Sequence, residues 1–208
     1  MRGDISRDER RQHWEQRHAG GDIESSGPNP VLAATVSALS PGSALDLACG
    51  DGRNAVWLAV HHWRVTGVDW SVTALAKAAA RANAAGVTVT WVNADLLAWR
   101  PPGAAFELVT IVYLHLPVGE RRQIYAAAAQ ALTPGGRLVV IGHDRTNLSD
   151  GVGGPQDPDL LFTAAEVADQ LLADVPGLMI ESQQVVRRVA APERGPIDAL
   201  LIARQSPL

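Results

Sequence analysis

The sequence predicts one α/β domain with a mostly parallel sheet of seven strands, helices on both faces and an antiparallel hairpin at the C-terminal end. From residue 44 onward, short apolar runs alternate with longer segments of helical periodicity. The apolar run 44–48 leads through Gly50 and Gly52 into a helical pattern, which is typical of a strand, a tight turn and a helix. The last two apolar runs flank a proline-containing turn, which predicts the hairpin.

The elements are predicted in order along the chain. A short charged helix over 4–19 and a second helix over 31–39, which starts after Asn29-Pro30, precede the sheet. Thr133-Pro-Gly-Gly136 predicts a turn before the fifth strand, and the polar segment 144–158 predicts a substrate lid at the ligand edge. The core strands are expected near 44–48, 64–69, 87–92, 106–112, 137–142, 179–189 and 197–203, and its helices near 53–61, 71–85, 118–132 and 163–174, with the hairpin turn at 192–196.

Composition limits the class of protein. The 208 residues are 47% hydrophobic and 19% charged, which is typical of a globular chain and long enough for one domain over 1–208, with a helical segment 1–42 before a core 43–208. No apolar run approaches the roughly 20 residues of a membrane span, and the charged N-terminus predicts a cytoplasmic protein. A single cysteine excludes an internal disulfide, and a net charge of −4 argues against a nucleic-acid partner. The oligomeric state is left open.

The turn and the acid that follows it predict a nucleoside site. Asp69 ends the second predicted strand at a distance from the glycines that suits a carboxylate binding ribose hydroxyls. One interpretation is a dinucleotide site, because Gly50-x-Gly52-x-x-Ala55 followed by Asp69 fits that fingerprint.

A second interpretation comes from resemblance. Asp46-x-Ala48-x-Gly50-x-Gly52, Asp69, Asn93-Ala-Asp95 and Leu132-Thr-Pro-Gly-Gly136 resemble the ordered motifs of class I S-adenosylmethionine (SAM)-dependent methyltransferases, which have a Rossmann-like fold. The resemblance covers residues 14 to 204, and its departure is Ala48, where the family usually has glycine. His13-Trp-Glu-x-Arg17, Gly52-Arg-Asn54, Phe162-Thr163 and the last strand resemble the small-molecule branch that contains the tellurite-resistance and thiopurine methyltransferases.

The resemblance implies roles at the methionine and ribose end of SAM. Asp46 would help hold the methionine amino group and Arg53 its carboxylate, while Asp69 would accept from both ribose hydroxyls. Gly50 and Gly52 would let the backbone approach the ligand, with Ala48 beside them. Asp46 could instead only cap turn amides, and Arg53 could be a solvated residue at a helix start.

The resemblance also implies an adenine pocket and a lid. Trp70 would pack on the adenine, Asp95 would accept from its amino group and the Leu96 amide would lie near the ring. Val112 is the last of the predicted cofactor-binding residues. Asp95 could instead form an Asx turn. Trp14 and Arg17 lie on the N-terminal segment, which would fold over the cofactor as a lid or simply pack on the surface.

Catalytic candidates follow the fourth and fifth strands. His115 could act as a general base or bond to backbone, and His143 with Asp144 is the second candidate, with Tyr113 on the rim. Cys49 would be covered by the cofactor, which argues against a role as a nucleophile. His61 and His62 are adjacent and cannot easily both face one metal ion, so no metal site is predicted.

The function expected from these features is SAM-dependent methyl transfer to a small-molecule acceptor by in-line displacement. One alternative is an NAD(P)-linked oxidoreductase, although no Tyr-x-x-x-Lys pair is present and Lys77 is the one lysine. The other alternative is a SAM-binding protein without catalysis.

Overall fold

The computed structural model describes residues 6–20, 27–188 and 195–207. Four of the helix starts in the described residues have a capping side chain. Ser6 and Thr163 form capping boxes with the glutamates three residues later, Asn29 caps the helix that opens with Pro30, and the Ser71 hydroxyl accepts from the amide of Ala74. The helices are α1 (Arg7–Ala19), α2 (Pro30–Val36), α3 (Arg53–Val60), α4 (Val72–Ala84), α5 (Val118–Gln130), α6 (Asn147–Asp150) and α7 (Ala164–Asp174), with a 3₁₀ turn at Pro158–Leu160.

Seven strands form one sheet in the order β3-β2-β1-β4-β5-β7-β6. Strands β1 to β5 pair in parallel, and β7 runs antiparallel between β5 and β6. The predicted fold class is confirmed. The strands are β1 (Ser43–Leu47), β2 (Arg64–Asp69), β3 (Thr90–Asn93), β4 (Phe106–Val112), β5 (Leu132–His143), β6 (Leu178–Arg187) and β7 (Ile197–Gln205).

The strand order places a ligand site. Because the chain moves outward from β1 to β3 and then returns to β4 on the other side of β1, a crevice opens at the carboxyl ends of β1 and β4. Two buried apolar clusters cover the two faces of the sheet. One contains Tyr125, Phe162 and Leu171, the other Leu32, Leu58 and Trp63, so the crevice lies at the edge of a well-packed core.

Several predicted boundaries were wrong. β3 begins at Thr90 rather than 87, and α2 ends at Val36. The predicted turn Thr133–Gly136 lies inside β5, because Leu132 already pairs with Phe106 and the next paired residues are Leu108 and Arg137; the turn is a bulge in the strand, with Gly135 at φ 78°. Residues 4 and 5 of the first predicted helix, residue 189, and 192–194 of the hairpin turn lie outside the described residues. Within the described ranges, no helix is both long and apolar enough for a bilayer.

Candidate functional site

A cavity of about 670 Å³ lies at the carboxyl ends of the parallel strands. This volume is within the range of small-molecule and cofactor sites. Every predicted site residue lines it except Asp46, Gly52 and Asp144, so residues that lie up to 129 positions apart in the sequence are brought together. The lining includes Trp14, Arg17, Ala48, Gly50, Arg53, Asp69, Trp70, Asp95, Leu96, Val112, His115 and His143.

The turn after β1 uses its two glycines for different purposes. Both have left-handed backbone, with φ 55° at Gly50 and 76° at Gly52, and Ala48 adopts φ 55° as well. A Cβ on Gly50 would meet only His18 Cε1, at 3.6 Å, so this glycine opens toward the cavity. A Cβ on Gly52 would lie 2.7 Å from Ala78 Cβ and 2.8 Å from Trp91. Gly52 therefore lets α3 pack against α4 and β3, and it is not among the residues that line the cavity.

Asp69 lies on the floor of the cavity at the end of β2. Its Oδ2 accepts from the Gly50 amide at 2.9 Å, and its Oδ1 accepts from the Ser71 amide at 2.9 Å. Burial raises the pKa of this carboxyl, and the two amides offset part of that effect. Each oxygen keeps a lone pair for a further donor, as a pair of neighbouring hydroxyl groups requires.

Asp46 lies beneath the turn rather than in the cavity. Its Oδ1 accepts from the Thr110 hydroxyl at 2.7 Å, while its buried Oδ2 has no hydrogen-bond partner among the described residues. Burial raises the pKa of Asp46 to about 7, and Thr110 and the charge of Arg53 oppose that shift. The unpartnered oxygen is an acceptor beside the Arg53 end of the cavity.

Asp95 forms the Asx turn that was the alternative to its predicted adenine role, and it also pairs with Arg7. Its Oδ1 accepts from the Leu97 amide at 2.9 Å, which is an Asx turn, and its Oδ2 accepts from Arg7 Nε at 2.6 Å. Partial burial raises the pKa of this carboxyl, but the hydrogen bonds from Arg7 and Leu97 outweigh it, and the pKa is lowered. Leu96 and Trp70 flank the carboxylate and form an apolar slot.

Helix α1 covers the mouth of the cavity. Residues at helical spacing on one face line the cavity: Arg10, His13, Trp14, Arg17 and His18. Three polar contacts join the helix to different elements of the core. Arg7 pairs with Asp95. Nη2 of Arg10 donates to both carboxylate oxygens of Glu120 in α5, at 2.7 and 2.5 Å. Glu15 accepts from the amide and the hydroxyl of Thr73 at the start of α4. The Arg17 guanidinium lies 5.0 Å from the Trp14 ring.

Aromatic rings from β4 and β5 form the other end of the cavity. The His143 ring lies beside those of Tyr113, at 5.1 Å, and His115, at 5.3 Å, and these two rings are themselves 6.2 Å apart. Nε2 of His115 accepts from the His143 amide at 3.0 Å, and burial together with the nearby His143 lowers the pKa of His115 to about 3. His115 is therefore a neutral ring whose acceptor nitrogen is already used.

The sequence interpretation missed the residues that surround His143 and Tyr113. Asp198, at the start of β7, is fully buried, and its Oδ1 lies 3.3 Å from Nδ1 of His143. The Tyr113 hydroxyl and Arg188 Nε both donate to Oδ2 of Asp198, at 2.8 and 2.6 Å, and Asn29 Nδ2 donates to the Tyr113 hydroxyl at 3.0 Å. The one available signal was a lone acid in the apolar run Ile197-Asp-Ala-Leu-Leu-Ile202.

The other candidates have structural surroundings. Asp144 accepts from the Thr146 amide and hydroxyl, at 2.9 and 2.7 Å, and does not line the cavity. From the predicted lid 144–158, Gly154 and Pro155 do line it. Burial raises the pKa of the Cys49 thiol, so its thiolate is disfavoured. In residues 6–20, 27–188 and 195–207, no group of three or more His, Cys, Asp or Glu side chains could hold a metal ion.

Comparison with known proteins finds similarity to methyltransferases. Residues 44–136 match a family model described as a methyltransferase domain. A demethylmenaquinone methyltransferase from Thermus thermophilus is 36% identical over 104 residues, which are 49% of this chain and 47% of that protein. Thiocyanate methyltransferase 1 from Arabidopsis thaliana is 29% identical over 145 residues, 68% of this chain and 63% of that protein. This chain thus spans about half the length of the Thermus relative.

A solved structure extends the comparison to the whole fold. The N-methyltransferase NodS from Bradyrhizobium japonicum, in complex with S-adenosylhomocysteine, superposes with a TM-score of 0.72 at 20% identity, covering 93% of this chain and 97% of that one. At this identity the likeness concerns the fold, while the matched family model covers the turn, Asp69 and Asp95. The part of the chain that contains the turn, Asp69 and Asp95 is therefore similar to methyltransferase domains.

Proposed function

We propose that this chain transfers a methyl group from SAM to a small-molecule acceptor. The observation that carries the proposal is the Asp69 carboxylate, held by the Gly50 and Ser71 amides with one face toward the cavity. A buried carboxylate that presents two oxygens with spare lone pairs matches a ribose diol. When bound, SAM supplies an electrophilic methyl group; the protein binds and orients the two reactants.

The residues present fit each part of the cofactor. Asp95 and the apolar slot of Leu96 and Trp70 suit adenine. Arg53, whose guanidinium makes no hydrogen bond among the described residues, suits the methionine carboxylate. The buried oxygen of Asp46 suits an indirect contact with the amino group. Trp14 and Arg17 would close over the cofactor as part of the α1 lid.

The same turn argues against a dinucleotide. The amides of the turn itself are already used, because the Gly50 amide donates to Asp69 and the Gly52 amide donates to Cys49 O at 3.0 Å. The Asp69 carboxylate next to the Gly50 amide also disfavours a phosphate dianion at the turn.

The acceptor is proposed to be small for two reasons. The cavity is bounded by α1 and by Gly154 and Pro155, and the net charge of −4 disfavours a nucleic acid. The two curated relatives described above are named for demethylmenaquinone and thiocyanate, both small molecules.

Calorimetry with S-adenosylhomocysteine, SAM and NADH tests the proposal. We expect both sulfur nucleosides to bind and NADH not to bind. Asp69→Ala should lower affinity about 100-fold, because it removes hydrogen bonds to a charged acceptor, whereas Asp174→Ala, which breaks an exposed pair with Arg122, should leave affinity unchanged. Binding of NADH alone would refute the proposal. Transfer of labelled methyl from SAM to an acceptor panel then separates an enzyme from a SAM-binding protein without catalysis.

A further inference from the structure

The antiparallel pairing of β5 and β7 places an acid directly beside a candidate base. His143 ends β5 and is the register partner of Asp198, which is the second residue of β7. Oδ1 of Asp198 lies 3.3 Å from Nδ1 of His143, but the two groups are not aligned as a hydrogen bond, and Nδ1 has no hydrogen-bond partner among the described residues. Catalytic hydrogen bonds are often long or poorly aligned before substrate binds.

The surroundings of Asp198 keep it ionised. Burial by itself raises the pKa of the carboxyl, but contacts from His143, Tyr113 and Arg188 outweigh burial, and the pKa is lowered. An ionised carboxylate accepts hydrogen bonds and cannot donate them. The nitrogen of His143 that faces it therefore carries a proton when the ring is neutral, and the lone pair of the ring lies on Nε2.

The Nε2 edge of His143 borders the cavity next to a glycine. A Cβ on Gly154 would lie 2.7 Å from Nε2 and 2.4 Å from Cδ2 of the ring. Gly154 adopts φ 76°, so the loop reaches the imidazole only because no side chain is present there. The neighbouring histidine offers no such atom, because Nε2 of His115 already accepts from the His143 amide.

We propose that Asp198 is a positioning residue that holds His143 as the Nδ1–H tautomer, and that Nε2 of His143 takes the proton of an acceptor hydroxyl group. The O–H bond breaks, its electron pair stays on the oxygen that is to be methylated, and the proton moves to Nε2. The resulting imidazolium is balanced by Asp198. This inference rests on the proposed methyltransferase function.

The chemistry of the cavity favours a phenol or an enol as this acceptor. A thiolate or another soft anion needs no base, so it would make no use of the pair. Leu114, Pro155 and Leu160 supply apolar walls that suit an aromatic or conjugated body.

The tautomer can be measured without any acceptor. Nitrogen-15 imidazole spectra of the full chain bound to S-adenosylhomocysteine should show His143, assigned by loss of its signals in His143→Gln, as the Nδ1–H form. Asp198→Asn should move His143 away from that form. Asp144→Asn, which removes the neighbouring buried carboxylate that does not contact the ring, should leave the tautomer unchanged. An Nε2–H form in the wild type, or an unchanged tautomer in Asp198→Asn, would overturn the assignment.

A matched pair of acceptors tests the proton transfer. 2-Naphthol and 2-naphthalenethiol have the same shape but differ in whether the attacking atom needs deprotonation. His143→Gln and Asp198→Asn should each lower kcat for the naphthol about 100-fold or more, with little change in KM, and should leave the thiol reaction within a few-fold. Equal losses with both acceptors would indicate a structural role. A wild type that binds SAM but does not methylate naphthol refutes the inference alone, whereas absence of SAM binding refutes the proposed function.

Discussion

Gly52→Ala should mainly lower the stability of the protein, whereas Gly50→Ala should mainly lower its affinity for S-adenosylhomocysteine. Gly52→Ala places a Cβ at φ 76°, which costs about 1–2 kcal/mol, and drives it to 2.7 Å from Ala78 and 2.8 Å from Trp91. Overpacking of this kind costs about 1–3 kcal/mol, and the stiffer unfolded chain returns about 0.4–1 kcal/mol. The expected net loss of unfolding free energy is therefore about 2–4 kcal/mol.

Gly50→Ala carries a backbone cost of the same kind without the collision. The net loss of stability should be about 1 kcal/mol, because the added Cβ meets only His18, at 3.6 Å. That Cβ lies in the cavity, however, so affinity for S-adenosylhomocysteine should fall at least tenfold.

Urea denaturation and calorimetry on both variants separate the two effects. Gly52→Ala should be the less stable protein, yet its folded fraction should bind S-adenosylhomocysteine with nearly wild-type affinity. Equal stability of the two variants, or a larger loss of affinity in Gly52→Ala, would refute the assignment of one glycine to packing and the other to the ligand.

Three further outcomes are expected. Ala48→Gly should stabilise the protein by about 0.5–1 kcal/mol in urea titrations, because it relieves φ 55°; a loss of stability would contradict the backbone geometry. Because the pKa of Asp46 is raised, the folded state binds the Asp46 proton more tightly than the unfolded state does. Stability should therefore fall as pH rises from about 4 to about 7, by up to about 1.4 kcal/mol per pH unit. Asp46→Asn should flatten this slope in denaturation curves at pH 5, 6 and 7, and an unchanged slope would exclude Asp46 as its source. Glu120→Gln should speed deuterium exchange within Arg7–Ala19 but not in β4, and S-adenosylhomocysteine should reverse the effect; equal exchange in both proteins would show that the Arg10 pair does not hold the helix.

The sequence was most informative where a residue is constrained by its immediate neighbours. The helix starts near Asn29, Ser71 and Thr163 were predicted correctly, because each depends on a cap whose hydrogen bonds lie within three residues. The strand-end position of Asp69 followed from its place in a local unit. The bulge in β5 could not be predicted, because it depends on pairing with Phe106 across the sheet.

The same distinction applies to Gly52, whose part in packing could not be predicted from the sequence. The left-handed backbone of Gly52 can be predicted from the sequence, because a glycine directly before a helix suggests it. The reason that no side chain is tolerated lies in α4 and β3, at Ala78 and Trp91, which reach the turn only after the sheet has formed. A glycine motif therefore predicts the conformation of a turn better than it predicts which side of the turn meets a ligand.

Asp198 shows how strand direction can bring a residue into the ligand site. In a parallel sheet the ligand edge receives the residues that follow each strand, and the motifs found after β1, β2 and β3 all follow that rule. β7 runs the other way, so the residues at its start, not its end, lie at that edge, and Asp198 thereby pairs in register with His143. The acid of the proposed pair comes from the antiparallel strand, and the base from the end of the parallel strand beside it. In folds with one reversed strand, the first residues of that strand are therefore the place to look for partners of the residues that end its neighbour.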